Sequence, residues 1–522
     1  MTNHSLKILI VHCHFERGGV TQVVDNHVHC LRDADEIAEI ALLSGPRQSG
    51  LHASTRNAVK LWSLQSLEYD SHREIKEDIE TDARTTAEDI DQLCRQSDWN
   101  PNEVVVHWHN HSLGKNAASP LVVKRLAAMG YSCVLHIHDF AEDQRPENWA
   151  YLRDTLPCQS ATEFDTILYP TGPRISYATL TTGDAKTLVQ YGIDRSRVDV
   201  LPNSVRLPSS ELPAFETARQ KVRQAFDLPS DFQWMLYPVR GIRRKNLGEF
   251  LLMCQLAGRP AVGAMTLMPT TPVEKRSYER WRSIAHEYVA NVVFDAAHHP
   301  DIEFTDNLSA ATTVVSSSVA EGFGMAFLEP WLASRSVVAR NLPGVTADFI
   351  DRGVLLKRLY DSVRIPGSPD WLAGAEQAFQ LAKQKAWQGV LTEAELGSQV
   401  TQPTSEQEDW IDFARLTPDL QIEVLRKFAS DEGFAQEVRR RNRDLVNWLT
   451  EPLDPSVIQH NRSIVQSEFG SANQRQQLLN LYRKAVQNAD IPVTEAAGSR
   501  AMLQWVDQSR PFYPCRVERL DA

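Results

Sequence analysis

The chain has 522 residues, 42% of them hydrophobic, and a formal net charge of −12. That length suits at least two domains with sizeable cores, and the acidic balance gives no electrostatic reason to expect nucleic acid or an anionic membrane as partner. No leader is visible and no apolar run could span a bilayer; seven scattered cysteines (Cys13, Cys30, Cys94, Cys133, Cys158, Cys254, Cys515) suit reduced thiols, so a cytoplasmic location is expected.

Lys7-Ile8-Leu9-Ile10-Val11 is an apolar strand, and His12 to Gly19 form its exit loop, ending in Gly18 and Gly19. Val20, Val23, Val24, Val28 and Leu31 follow at helical spacing. Strand, glycine loop and helix open a doubly wound sheet with a ligand loop at the strand's carboxyl end. The loop is not G-x-G-x-x-G, which counts against a dinucleotide enzyme. Ile37 to Leu43 reads as a second strand, and residues 47 to 100 as polar and mostly helical. Asp33-Ala34-Asp35 and Asp89-Ile90-Asp91 have a metal-binding D-x-D spacing, yet neither follows an apolar strand, so both read as solvated faces.

Twelve of the sixteen histidines precede residue 140. Glu103 to Val106 leads into His107-Trp108-His109-Asn110-His111, and Tyr131 to Leu135 into His136-Ile137-His138-Asp139. His-x-His on a strand puts both rings on one face, a plausible zinc pair. A metallohydrolase would need more ligands at later strand ends, where only His286, His298, His299 and His460 remain. The competing reading is that these strand ends line a cleft, with His138 favoured and His136 its nearest rival. Thr166 to Tyr169 and Val198 to Leu201 read as further strands, with a short helix from Asp184 to Gly192 between them. Residues 207 to 213, rich in proline and serine, read as a linker.

Ala218 to Phe226 is a basic amphipathic helix, and Trp234 to Pro238 opens a second sheet. The loop Val239-Arg240-Gly241-Ile242-Arg243-Arg244-Lys245-Asn246 follows. A diphosphate leaving group held without a metal needs such fixed cations: arginine forks onto two oxygens, while lysine acts as a point charge. Strands are expected at Ala261 to Leu267, Val292 to Asp295, Thr312 to Ser316 and Ser336 to Ala339. Between the last two lies Ala320-Glu321-Gly322-Phe323-Gly324-Met325-Ala326-Phe327-Leu328-Glu329. Strand, glycine turn and helix form a phosphate-binding layout, with open amides and a positive helix end. Glu321 in the turn and Glu329 about one helical turn inside can face one cleft. Pro330 is expected to kink or shorten that helix. Residues 366 to 455 carry helical periodicity without a site motif and read as a helical insertion or a homo-oligomer contact.

Glu-Gly-Phe-Gly with a second Glu at 329 resembles the E-x7-E signature of retaining family 4 glycosyltransferases of the GT-B fold. Arg240 and Lys245 match the spacing of that family's phosphate loop, with Val239 where glycine is common. Val200 to Val205 is similar to the segment closing its first domain, with Ser204 in place of glycine, and Asn461 to Ala485 to its crossing helix. The resemblance implies an α/β protein: two Rossmann-like domains facing a cleft, residues 1–206 for the acceptor and 214–365 for the donor. Residues 366–455 would be the insertion, and 456–522 a crossing helix and tail returning to the first domain. The implied reaction is transfer of a hexose from a nucleotide-diphosphate sugar to a hydroxyl acceptor, with retention and without cofactor or metal. Glu321 would hold the sugar, Glu329 the ribose, and Arg240 and Lys245 the diphosphate. Gly322, Phe323, Gly324 and Met325 would supply amides, while Gly18, Gly19 and His138 shape the acceptor side. Arg17, Arg243 and Arg244 hint at an anionic acceptor. Competing readings are a sugar phosphorylase on the same fold, a His-rich metallohydrolase and a non-catalytic sugar-binding module.

Overall fold

Apolar runs with no polar alternation are what strands buried on both faces require, and two all-parallel sheets are built from them. The computed structural model describes residues 5–75, 78–207, 212–391, 409–488 and 510–518. The chain divides into two compact units, one of residues 1–204 and 469–511, the other of 205–468 and 512–522. Most of the proline-rich linker expected at 207 to 213 lies outside the described residues.

The first unit holds seven parallel strands: β1 (Leu6–Val11), β2 (Ile37–Ser44), β3 (Lys60–Ser63), β4 (Val104–His109), β5 (Ser132–Ile137), β6 (Ile175–Thr179) and β7 (Val198–Val200). Their order is β3-β2-β1-β4-β5-β6-β7. The order reverses beside β1, so the β1 and β4 exits flank a crevice where such sheets bind ligands. Ile8, Ile10, Val24, Val28, Val105 and Val134 form its core with Leu478, Leu481 and Tyr482 of the helix Ser471–Gln487. The strand expected at Thr166 to Tyr169 is instead the end of a helix, Ala161–Leu168. Ser160 Oγ caps it by accepting from the Glu163 N–H at 3.2 Å.

The second unit contains β8 (Gln233–Arg240), β9 (Ala261–Leu267), β10 (Val292–Val293), β11 (Thr313–Ser316), β12 (Ser336–Arg340) and β13 (Leu359–Tyr360), ordered β10-β9-β8-β11-β12-β13. β10 is shorter than the expected strand. Leu425, Phe428, Val438, Leu445 and Leu449, from helices at Pro418–Ser430, Glu432–Arg441 and Arg443–Thr450, share one core with Phe250, Leu251 and Met253. The segment expected as an insertion or oligomer contact therefore buries its apolar faces inside this unit. A buried network ties it down: Arg340 forks onto Glu249 (2.7 and 2.9 Å) and Asp412 (2.9 Å), and Tyr360 Oη donates to Glu249 at 2.7 Å. The helix expected across Asn461 to Ala485 is broken at Gly470, which caps Ser471–Gln487 after Pro455–Glu468 has ended.

Candidate functional site

The second unit's site begins where β8 ends at Arg240. The Gly241 N–H donates to Leu267 O at 2.8 Å. A Cβ on Gly241 would overlap the Tyr278 ring, so only glycine lets the chain turn there. Arg243–Lys245 form one 3-10 turn, and Asn246, in the left-handed region at φ 47°, opens the helix Leu247–Ala257. The exit of β11 fixes this loop: Ser317 Oγ donates to Lys245 O at 2.9 Å and the Val319 N–H to Arg244 O at 3.0 Å. Tyr237 Oη adds a third bond, to Lys245 O at 3.0 Å. Two loops far apart in sequence thus share one hydrogen-bonded frame.

That frame brings Lys245 and Glu321 together. The Lys245 ammonium donates directly to Glu321 Oε1, and Arg244 Nη2 stands 3.9 Å from Oε2. Burial would raise the Glu321 pKa, but Lys245 and then Arg244 more than offset it and hold the carboxyl below its usual range. Arg240 is half-buried at the strand end. Arg243 is committed elsewhere, contrary to the hint of an acceptor role: its Nε donates to Glu274 at 3.1 Å and its Nη1 to Glu518 O at 2.6 Å.

Downstream of Glu321, Phe323 packs edge-on against Phe349, with centroids 5.3 Å apart. Gly324 is left-handed at φ 89°, where a Cβ would lie 2.8 Å from the Phe327 ring. The expected helix is only a 3-10 turn, Met325–Phe327, followed by a four-residue helix, Glu329–Leu332. So short a run sums few peptide dipoles; the positive charge beside Glu321 comes from the side chains of the β8 loop. The helix is shortened, one of the two outcomes expected of Pro330, and not kinked, because Pro330 occupies its second position, where no intrahelical N–H is required. Trp331 Nε1 donates to Phe327 O at 2.8 Å and ties the two turns together. Glu329, first in the short helix, makes no hydrogen bond or ion pair among the described residues, and burial pushes its carboxyl up to about 7.

In the first unit, Gly18 is extended (φ −174°) and Gly19 starts the helix Gly19–Leu31. A Cβ on Gly19 would meet nothing within 4 Å, so the fold itself does not demand glycine there. His138 follows β5, and Asn110 Oδ1 accepts from the N–H groups of His138 and Asp139 at 2.8 and 3.2 Å. Burial pushes the His138 pKa down to about 4, so the ring is neutral at pH 7. Its Nε2 pairs with His109 Nδ1 at 2.7 Å. His136, its rival, is wholly buried, whereas His138 retains 7% exposure. Asp89 and Asp91 lie on the helix Ile79–Gln96, and Asp33 and Asp35 between Leu31 and β2, away from any strand exit.

Two features escaped sequence reasoning. His27, from the helix after β1, stacks over His107 and His136. Arg510, from the tail, bridges Asp143 (2.6 Å) and Asp184. Both assemble from residues far apart in the chain, which no local spacing reports.

Among the described residues, no helix is long and apolar enough to cross a membrane. No protein-family model matches the chain. Two doubly wound units, the Glu321–Lys245 pair and the E-x7-E spacing, taken with the relative below, make the chain a glycosyltransferase of the GT-B fold, similar to family 4. The relative is mannosylglucosyl-3-phosphoglycerate synthase of Petrotoga mobilis, 26% identical over 465 residues, which cover 85% of each chain. Among solved structures, a glycosyltransferase from Rickettsia africae superposes with a TM-score of 0.56 at 12% identity, over 93% of this chain and 99% of that one. Sucrose-phosphate synthase from Thermosynechococcus elongatus gives 0.52 at 14% identity, over 92% and 98%. Anabaena HepE, solved with UDP and glucose, gives 0.51 at 12%, over 92% and 99%. At such identities the solved structures speak to fold alone.

Proposed function

We propose that the protein transfers a hexose from a nucleotide-diphosphate sugar to a hydroxyl of a phosphorylated acceptor, with retention and without a catalytic metal. The observation that carries this reading is the anion held between cations at the β8 and β11 exits: Glu321 on Lys245, with Arg244 beside it. Glu321, kept ionised, accepts hydrogen bonds from donor-sugar hydroxyls. Arg240 and Lys245 neutralise the departing diphosphate, a task for which metal-dependent transferases recruit a divalent ion. The amides of Gly322 to Met325 assist, and Glu329 accepts from the ribose. Neutral His138 offers its Nδ1 to a sugar or acceptor hydroxyl, and Gly18 and Gly19 leave room for a ligand to approach the backbone. No side chain is assigned as covalent nucleophile. An anionic acceptor is supported by the relative's name, which contains 3-phosphoglycerate, and by Arg17, exposed beside Gly18.

The test is incubation with a panel of nucleotide sugars and glucosyl-3-phosphoglycerate, with products read by mass spectrometry and the anomeric coupling by NMR. A retained linkage, formed after brief EDTA treatment, is expected. An inverted linkage overturns the retaining reading. Activity lost to EDTA and restored by Mg²⁺ or Mn²⁺ overturns metal independence. Transfer to neutral acceptors alone overturns the anionic one.

A further inference from the structure

The first unit buries a group of histidines that sugar transfer does not use. His107 and His109 alternate on β4 and so share a face, and β5 brings His136 opposite His109 in register. His27 comes down from the helix Gly19–Leu31. All four rings are fully buried. The ring centroids of His27, His107 and His109 lie within 4.5 to 5.6 Å of each other, and His136 is 5.0 to 5.9 Å from all three.

The nitrogens sort into two sets. On one side His107 Nδ1 meets Tyr482 Oη at 2.9 Å, and His109 Nδ1 meets His138 Nε2 at 2.7 Å. Each contact holds a ring by one nitrogen and leaves the other facing the cluster, the arrangement by which outer partners orient metal-binding imidazoles. On the other side, both nitrogens of His27, His109 Nε2 and His136 Nε2 are buried with no hydrogen-bond partner among the described residues. Four such nitrogens in one buried pocket each carry a desolvation cost. One ligand atom from each of His27, His107 and His109 falls within 4.8 Å of the others. His107 Nε2 and His136 Nδ1 are hydrogen-bonded to each other at 3.1 Å, close to the roughly 3.3 Å edge of a zinc–imidazole tetrahedron, so a metal would take the place of their shared proton.

We propose that this pocket is a structural zinc site, with His27, His107 and His109 as ligands and His136 closing the fourth position. Borderline ions such as Zn²⁺ suit an all-imidazole set, and hard ions such as Mg²⁺ do not. The rings stack close to parallel, so metal entry requires them to turn about their Cβ–Cγ bonds; His27, held by no hydrogen bond, is the freest to do so. Full burial makes the role structural: the ion would pin the helix after β1 to the strands that end at His109 and Ile137. Catalysis by the second unit's cations needs no part of it.

The test uses the full-length protein purified from zinc-supplemented cells without an affinity tag. Elemental analysis is expected to find about one zinc per chain. After stripping by prolonged chelation, Co²⁺ should restore one equivalent of metal with the intense visible bands of a tetrahedral site, and Zn²⁺ should bleach them and raise the Tm. His27→Leu, which fills the ring's place with an apolar side chain, should lose the metal and the Zn²⁺-dependent rise in Tm. His286→Leu, outside the cluster, should keep both. Absence of zinc together with a Co²⁺ spectrum lacking tetrahedral bands overturns the proposal, and so does full zinc binding by a folded His27→Leu. Because metal content, spectrum and Tm are read without any sugar donor, failure here is separate from failure of the transfer assay.

Discussion

Lys245→Met removes a charge from the site while keeping the length of the side chain. The Lys245 and Glu321 side chains are only 10% and 7% exposed, so solvent screens the pair weakly. Deleting one partner of a buried pair costs about 3–5 kcal/mol, because the other charge is left uncompensated. Arg244, 3.9 Å from the second carboxylate oxygen, remains as partial compensation, which places the loss near 3 kcal/mol. The pH dependence gives the sharper check. In the native protein the cations outweigh burial, so the Glu321 pKa is lower folded than unfolded. Its stabilisation is present above the unfolded pKa of about 4.3 and is lost as the pH falls through the folded value. In Lys245→Met burial gains the upper hand, the folded pKa rises, and ionisation now opposes folding. The gap between native and variant in urea unfolding should therefore widen from about pH 5 to pH 8. The double variant Lys245→Met/Glu321→Gln should lose about 2 kcal/mol less than the sum of the single variants. A gap below about 1 kcal/mol at neutral pH, or one that is flat across the range, refutes the account of a buried, mutually compensating pair.

Glu329→Ala should weaken nucleoside diphosphate and nucleotide sugar alike by about 1.5–3 kcal/mol in calorimetric titration, the worth of charge-assisted bonds to ribose. Since burial sets that carboxyl near 7, native affinity should rise as the pH passes upward through 7, and Glu329→Gln should abolish the rise. Glu321→Ala should leave nucleoside diphosphate binding nearly intact and act on kcat, because sugar contacts tighten in the transition state. If Glu321→Ala abolishes diphosphate binding while Glu329→Ala is silent, the two assignments are exchanged. Gly241→Ala forces a Cβ against the Tyr278 ring and should cost about 1–3 kcal/mol in urea unfolding; a neutral result would show that the ring moves freely.

Strands buried on both faces were legible because they read as unbroken apolar runs, as at Ile8 to Val11 and Trp234 to Tyr237. Thr166 to Tyr169 misled for the same reason, since so short a run does not distinguish strand from helix. The deciding signal was upstream, in Ser160-Ala161-Thr162-Glu163, an S-x-x-E helix start. β3, Lys-Leu-Trp-Ser, is a half-exposed edge strand with almost no pattern to read. In the candidate site, spacing singled out Lys245 and Glu321, which the fold brings into contact, while the Ser317 and Val319 bonds that lock the β8 loop were invisible, being contacts to backbone carbonyls. The strand-end histidines could be seen in pairs. His27 could not, because only the packing of its helix on the sheet brings it to them.

The chain leaves the first unit after Ser204 and returns to it at Phe469. The helix Ser471–Gln487, which seals the core face of β1, β4 and β5 with Leu478, Leu481 and Tyr482, is thus translated after nearly all of the second unit. At ribosomal speeds of about 5–20 residues per second, that face waits for tens of seconds, with Ile8, Ile10, Val105 and Val134 lacking their cover. His107 lacks Tyr482 for the same interval. Until that helix is made, the nascent first unit exposes this apolar sheet face, and a chain stopped before Ser471 is expected to aggregate. The late helix lets the first unit be completed only after most of the second has been made.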